Sequence, residues 1–158
     1  MPVTTDHAAM LDEALVEARL GLAEGGLPAG AALFDAAGRL IGRGRNRRIQ
    51  DQDPCMHSAL NAFRNAGRMK GYAGVTLAMT QAPCWMCAGL VRQFGIGTVV
   101  VGASGHGRGG LDWLRRHGVK VVELRNAACA NLLERFIKAC PDLWEEDQGL
   151  PRADHAPS

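Results

Sequence analysis

No apolar run in this 158-residue chain is long enough to span a bilayer, and the opening Met1-Pro2-Val3-Thr4-Thr5-Asp6 lacks the basic and apolar regions of a secretory leader. Both lacks argue against a membrane-embedded or exported protein. Charge of one sign is missing too. Eighteen Lys and Arg against sixteen Asp and Glu leave +2, too weak to argue for a polynucleotide or an anionic membrane partner. The five cysteines make an odd number, which fits free thiols in a reducing cytoplasm better than a disulfide framework. There is no internal repeat and no linker. The length suits one domain over 1–150 with a sizeable core. The stretch from Leu150 to Ser158 carries two prolines and little apolar content, so 151–158 is expected to be a loose tail.

What is present alternates between two periods. Leu11, Ala14, Leu15, Ala18 and Leu22 follow helical spacing, with Asp6 as cap and Gly25-Gly26 as stop. Ala31–Phe34 and Leu40–Asn46 read as strands of a hairpin turning at Ala36-Ala37-Gly38. A polar loop, Gln50 to Pro54, leads to a helix from His57 to Ala66. Val75–Thr80 is a third strand, and Pro83 opens a third helix, since proline is tolerated at the first helical position. Thr98–Val101 is a fourth strand, followed by a glycine-rich loop to Gly110. Leu111–His117 is a short helix ended by Gly118, and Val119–Leu124 is a fifth strand. Asn126 caps a last helix with Leu132, Leu133, Phe136 and Ile137 on its apolar face. This alternation predicts a layered α/β fold, and the helix between strands four and five makes those two parallel.

The run Pro83-Cys84-Trp85-Met86-Cys87 carries the chemistry. Two thiols three residues apart share one helical face and can grip one metal ion, with His57 as a third ligand. Three protein ligands leave a zinc position open, the mark of a catalytic site, and zinc ionises bound water near neutral pH. The positive end of a helix favours thiolates. A structural zinc knuckle needs a second Cys or His pair at similar spacing, and none exists. A redox role for the pair is disfavoured by the preceding proline and the upstream histidine. Cys55 reads as a packing residue, and Cys129 and Cys140 as core.

These residues, with Gly25-Gly26-Leu27-Pro28-Ala29-Gly30, Gly42-Arg43-Gly44-Arg45-Asn46, Asn65-Ala66-Gly67-Arg68 and Asp142-Leu143-Trp144-Glu145-Glu146-Asp147, carry a resemblance. The chain resembles the cytosine deaminases, fungal-type and free-base, of the zinc-dependent cytidine and deoxycytidylate deaminase superfamily. The general signature of zinc nucleobase deaminases is H-x-E…P-C-x-x-C, and His57 and Pro83 to Cys87 match it. The likeness runs from about Ala9 to Gly149. It implies a three-layer α/β/α sandwich on a mixed five-stranded sheet, a homodimer, and one zinc per subunit on His57, Cys84 and Cys87. It further implies hydrolytic loss of ammonia from a small-molecule nucleobase. Asn46 would bind the ring, Asp147 would bond a ring nitrogen, Trp144 would wall the base, and Ser58 and Ala82 would line its edge.

Two departures stand out. Position 59 is Ala where the family carries the Glu that shuttles protons. A methyl group moves no proton, so very slow turnover with intact zinc binding is expected. A deliberate substitution that traps substrate is the favoured origin, and a naturally inactive paralogue the alternative. The loop after strand four has Gly105-His106-Gly107-Arg108 in place of the family's aromatic residue, which widens the candidate bases to isocytosine and makes His106 a candidate contact. Rival readings are a tRNA adenosine deaminase, a purine-base deaminase such as guanine deaminase, and a non-catalytic binding protein. The acidic C-terminal run argues against the first.

Overall fold

Met10, Leu11, Ala14, Leu15 and Ala18 turn one buried stripe inward and build α1 (His7–Ala23), capped by Asp6, whose carboxylate accepts from Ala9 N at 3.0 Å. The computed structural model describes residues 5–107 and 109–149, so the expected loose tail at 151–158 lies outside the described residues. Strands β1 (Gly30–Phe34) and β2 (Leu40–Arg45) form the hairpin. Its turn is closed by Asp35, whose Oδ1 accepts the backbone N–H of both Ala37 and Arg39 at 2.9 Å. The chain continues through α2 (Ser58–Ala66), β3 (Thr76–Gln81), α3 (Trp85–Phe94), β4 (Thr98–Ala103), α4 (Gly110–Arg116), β5 (Lys120–Glu123), α5 (Ala127–Ala139) and α6 (Pro141–Asp147).

The sheet order is β2-β1-β3-β4-β5. β1 runs antiparallel to both neighbours, whereas β3, β4 and β5 are mutually parallel. The sheet is therefore mixed, with the last pair parallel as the sequence predicts. Alternation along the strands feeds two separate cores. Leu33, Leu77, Met79, Val99 and Val101 face α2, α3 and α4. Ala32, Phe34, Ala78 and Val100 face α1 and α5, with Cys129 among them. Three layers result. No helix among the described residues is long and apolar enough to cross a membrane.

Glycine at two positions of β2 sets the seat of α2. A Cβ on Gly42 would lie 2.7 Å from the backbone oxygen of Ala62, and one on Gly44 2.4 Å from Ala62 N. Backbone contact this close lets α2 lie directly on the strand. The alternate residues Arg43 and Arg45 point the other way, to carboxylates of α1.

Three details differ from the sequence-based expectation. The last helix is two helices, because Pro141 has no N–H to continue α5 and instead starts α6 at its first turn. Pro83 lies outside α3, which begins at Trp85 with Cys84 extended as its N-cap. β4 runs on to Ala103, its register with β3 held as far as Gln81.

Candidate metal centre

The starts of α2 and α3 converge. His57 is the N-cap of one and Cys84 of the other, and neither side chain makes a capping hydrogen bond. Both side chains are left to reach across the gap. His57 Nδ1 lies 3.3 Å from Cys84 Sγ and 3.8 Å from Cys87 Sγ. The three ligand atoms lie within 4.8 Å of one another. A tetrahedral zinc with Zn–S about 2.3 Å and Zn–N about 2.0 Å places neighbouring ligand atoms roughly 3.5–3.8 Å apart, so the cluster has the dimensions of a zinc site. His57 and Cys87 are buried and Cys84 is half-buried.

The protonation pattern of the cluster points the same way. The hydrogen bond from Cys87 and the one from His57 hold the pKa of the Cys84 thiol at about 4, against the opposing effect of burial. Cys87, donating to Cys84 and itself buried, is pushed well above its ordinary value. Burial pulls His57 down, but the bond to Cys84 and the charges of Asp147 and Cys84 outweigh it and raise the imidazole. The two sulfurs are thus driven apart in acidity, Cys84 toward thiolate and Cys87 toward thiol. A dication, which needs both as thiolates, displaces the Cys87 proton.

The far side of the imidazole is anchored as well. Asp147 Oδ1 lies 3.3 Å from His57 Nε2 and accepts from Asn46 Nδ2 at 2.7 Å. Asp147 Oδ2 accepts from Gln148 Nε2 at 2.7 Å. Nδ1 faces the sulfurs and Nε2 faces Asp147, which is where the ring proton would be held when Nδ1 ligates a metal. Such a carboxylate fixes both tautomer and ring orientation. Asn46 Oδ1 accepts from Arg48 N at 3.1 Å. The family resemblance sets Asn46 and Asp147 against the base; here the two buried groups hold each other and the imidazole.

A cavity of only about 10 Å³ lies over the cluster, room for one water molecule. Among the residues named from sequence, Asn46, His57, Ser58, Ala82, Cys84 and Cys87 line it. Ala29, Met79, Gln81 and Gln148 line it without being anticipated. Met79 and Gln81 are within reach of the strand period, which puts both on the face that carries the thiols. Trp144 is buried beside Leu27, Leu133 and Phe136 rather than in the cavity lining. His106 meets the edge of Trp144 with ring centroids 5.7 Å apart, and its Nε2 lies 2.6 Å from Glu134 Oε1. Ala59, wholly buried, is the second residue of α2, whose first turn holds no acid. Cys55 is exposed, not packed as expected, while Cys129 is buried in the core.

The basic run beside the site is neutralised within the chain. Arg43 pairs with Glu13 and Glu17, Arg45 with Glu17 and Glu24, Arg47 with Glu24 and Asp51. Arg48 donates to Pro54 O at 2.9 Å and lies 3.6 Å from Glu146.

Comparison with known proteins adds to this geometry. A family model described as the cytidine and deoxycytidylate deaminase zinc-binding region matches residues 4–103. A cytosine deaminase of Candida albicans is 36% identical over 149 residues, covering 93% of this chain and 99% of that protein. A tRNA-specific adenosine deaminase of Streptococcus pyogenes is 33% identical over 140 residues, covering 81% of each. Among solved structures, a guanine deaminase from Nitrosomonas europaea superposes with a TM-score of 0.70 at 26% identity, covering 87% of each chain.

Proposed function

The chain belongs to the cytidine and deoxycytidylate deaminase family, and on that premise we propose that it binds a free nucleobase, cytosine or a related aminopyrimidine such as isocytosine, for hydrolytic deamination. Its cofactor is one zinc ion per subunit. His57 Nδ1 and the sulfurs of Cys84 and Cys87 would hold that zinc, which when bound supplies the Lewis acidity that makes water a nucleophile at neutral pH. The chain's own residues do the rest. Asp147 keeps the imidazole proton on Nε2, so that Nδ1 offers its lone pair. Asn46 ties Asp147 to the end of β2. The bare amide ends of α2 and α3 favour negative charge at the cluster. Ala59 offers no group to carry a proton to the ring or to the departing amine, so turnover is slow and the bound base persists.

The observation that carries a small substrate is the fate of the arginine run. Polynucleotide binding needs Lys and Arg free to meet phosphates. Arg43, Arg45 and Arg47 are spent on α1 and on the loop after β2. Exposed Trp85, Met86 and Phe94 on α3 offer apolar surface for a homodimer, and the free thiols suit the cytoplasm.

Calorimetric titration of the zinc-loaded chain with cytosine, isocytosine, guanine and a tRNA anticodon stem tests this reading. A pyrimidine base is expected to bind tightest, with little dependence on salt. Preferential binding of the stem that weakens steeply as salt rises, or guanine binding tighter than either pyrimidine, overturns it.

A further inference from the structure

Gln81 ends β3, in parallel register with Ala103 of β4. This is the carboxyl edge of the parallel strands, where open α/β sheets bind ligands. The two-residue period puts its side chain on the face of Leu77 and Met79, toward α2 and α3. It lines the cavity above the thiols. Its Oε1 is buried and has no hydrogen-bond partner among the described residues. An unpaired polar atom inside a protein is costly, and native structures keep few of them.

Met79, Ala82 and Pro83 line the same space with apolar atoms, and the polar Ser58, His57 and Gln148 that share it make no hydrogen bond to this oxygen. Asn46 spends its amide on Asp147 and on Arg48 N. The carboxamide of Gln81 presents one donor and one acceptor in a plane, whichever way its ends are assigned. Two edges of an aminopyrimidine satisfy both at once, the ring nitrogen beside the amine and a ring N–H beside an oxo group; the first must turn to the metal for the amine to leave, which assigns the second to Gln81.

We propose that Gln81 is a specificity-determining residue whose carboxamide pairs with such a lactam edge, so that the chain selects aminopyrimidines that carry a ring oxo group. This rests on the nucleobase reading above and narrows it. A ring is larger than the present cavity, so the pairing forms only as the base enters and the side chains over the cavity shift.

Dissociation constants of the zinc-loaded chain for cytosine and isocytosine, set against 4-aminopyrimidine and 2-aminopyrimidine, test the pairing. The second pair keeps the ring and the amine but lacks the oxo group. The parent chain is expected to bind the oxo bases at least about tenfold tighter. Gln81→Met removes donor and acceptor at similar size, and is expected to weaken the oxo bases about tenfold while leaving the aminopyrimidines within about twofold. Gln81→Glu keeps the polarity but loses the donor, and is expected to weaken the oxo bases likewise. Zinc content and unfolding midpoint, measured alongside, identify a variant that has lost its fold, and either variant alone suffices. A folded variant that keeps the parent's preference overturns the role of Gln81 alone. No binding of any base by the zinc-loaded parent overturns the nucleobase reading together with it.

Discussion

Ala59→Glu is expected to raise ammonia release from the preferred base by about 10²–10⁴-fold or more. A single general acid or base contributes on that order, and a carboxylate here would serve two transfers: from water to the ring nitrogen, and to the leaving amine. Residue 59 is in the first turn of α2, whose N-cap His57 makes no side-chain bond to the free amides, and a carboxylate there is favoured by the positive helix end. The ligand triad within 4.8 Å and the anchored imidazole are already placed, and the cavity above the sulfurs must widen to admit a ring. Steady-state ammonia release from cytosine and isocytosine, parent against variant at equal zinc content, measures the gain. An unchanged rate would mean that something besides a missing proton carrier limits the chain, and the substrate-trapping reading would fail.

Asp147→Ala is expected to weaken zinc binding about 10–100-fold, the usual cost of removing the carboxylate behind a metal-bound histidine. Without it, Nε2 loses its acceptor at 3.3 Å, and Asn46 loses the 2.7 Å bond that seats it. The imidazole is then free to turn away from the sulfurs. Competition for zinc against a chromophoric chelator reads the change without any need for turnover. Asp147→Asn, which keeps an acceptor but not the charge, should fall between. Unchanged zinc affinity with base affinity alone lowered would mean that Asp147 serves the base and not the imidazole.

Much of the fold is legible in the sequence because it is written in short periods. The stripe of α1, the short apolar runs of β3 and β4 and the caps Asp6 and Asn126 are local features, and the structure repeats them. The triad is legible because Cys84 and Cys87 sit within one turn, and few histidines lie upstream to complete it. What stays hidden is non-local. Asn46 and Asp147 are 101 residues apart, so no window of sequence reveals that they bond each other as well as serving the site. The break at Pro141 is visible as a residue but lost inside a longer apolar pattern. Gln81 lies one residue beyond the strand that the apolar pattern marks, and only its place on the cavity wall with an unpaired oxygen sets it apart from a polar strand end. The pairing of Arg43, Arg45 and Arg47 with Glu13, Glu17 and Glu24 is non-local as well, since it forms only as α1 folds against β2.

X-ray absorption at the zinc edge of the metal-loaded chain examines the shared premise most directly. Two sulfurs at about 2.3 Å, one imidazole nitrogen at about 2.0 Å and one light-atom ligand from solvent are the coordination that His57, Cys84 and Cys87 dictate. A shell with a single sulfur or with four, or a chain that retains no stoichiometric zinc after loading and dialysis, would contradict it.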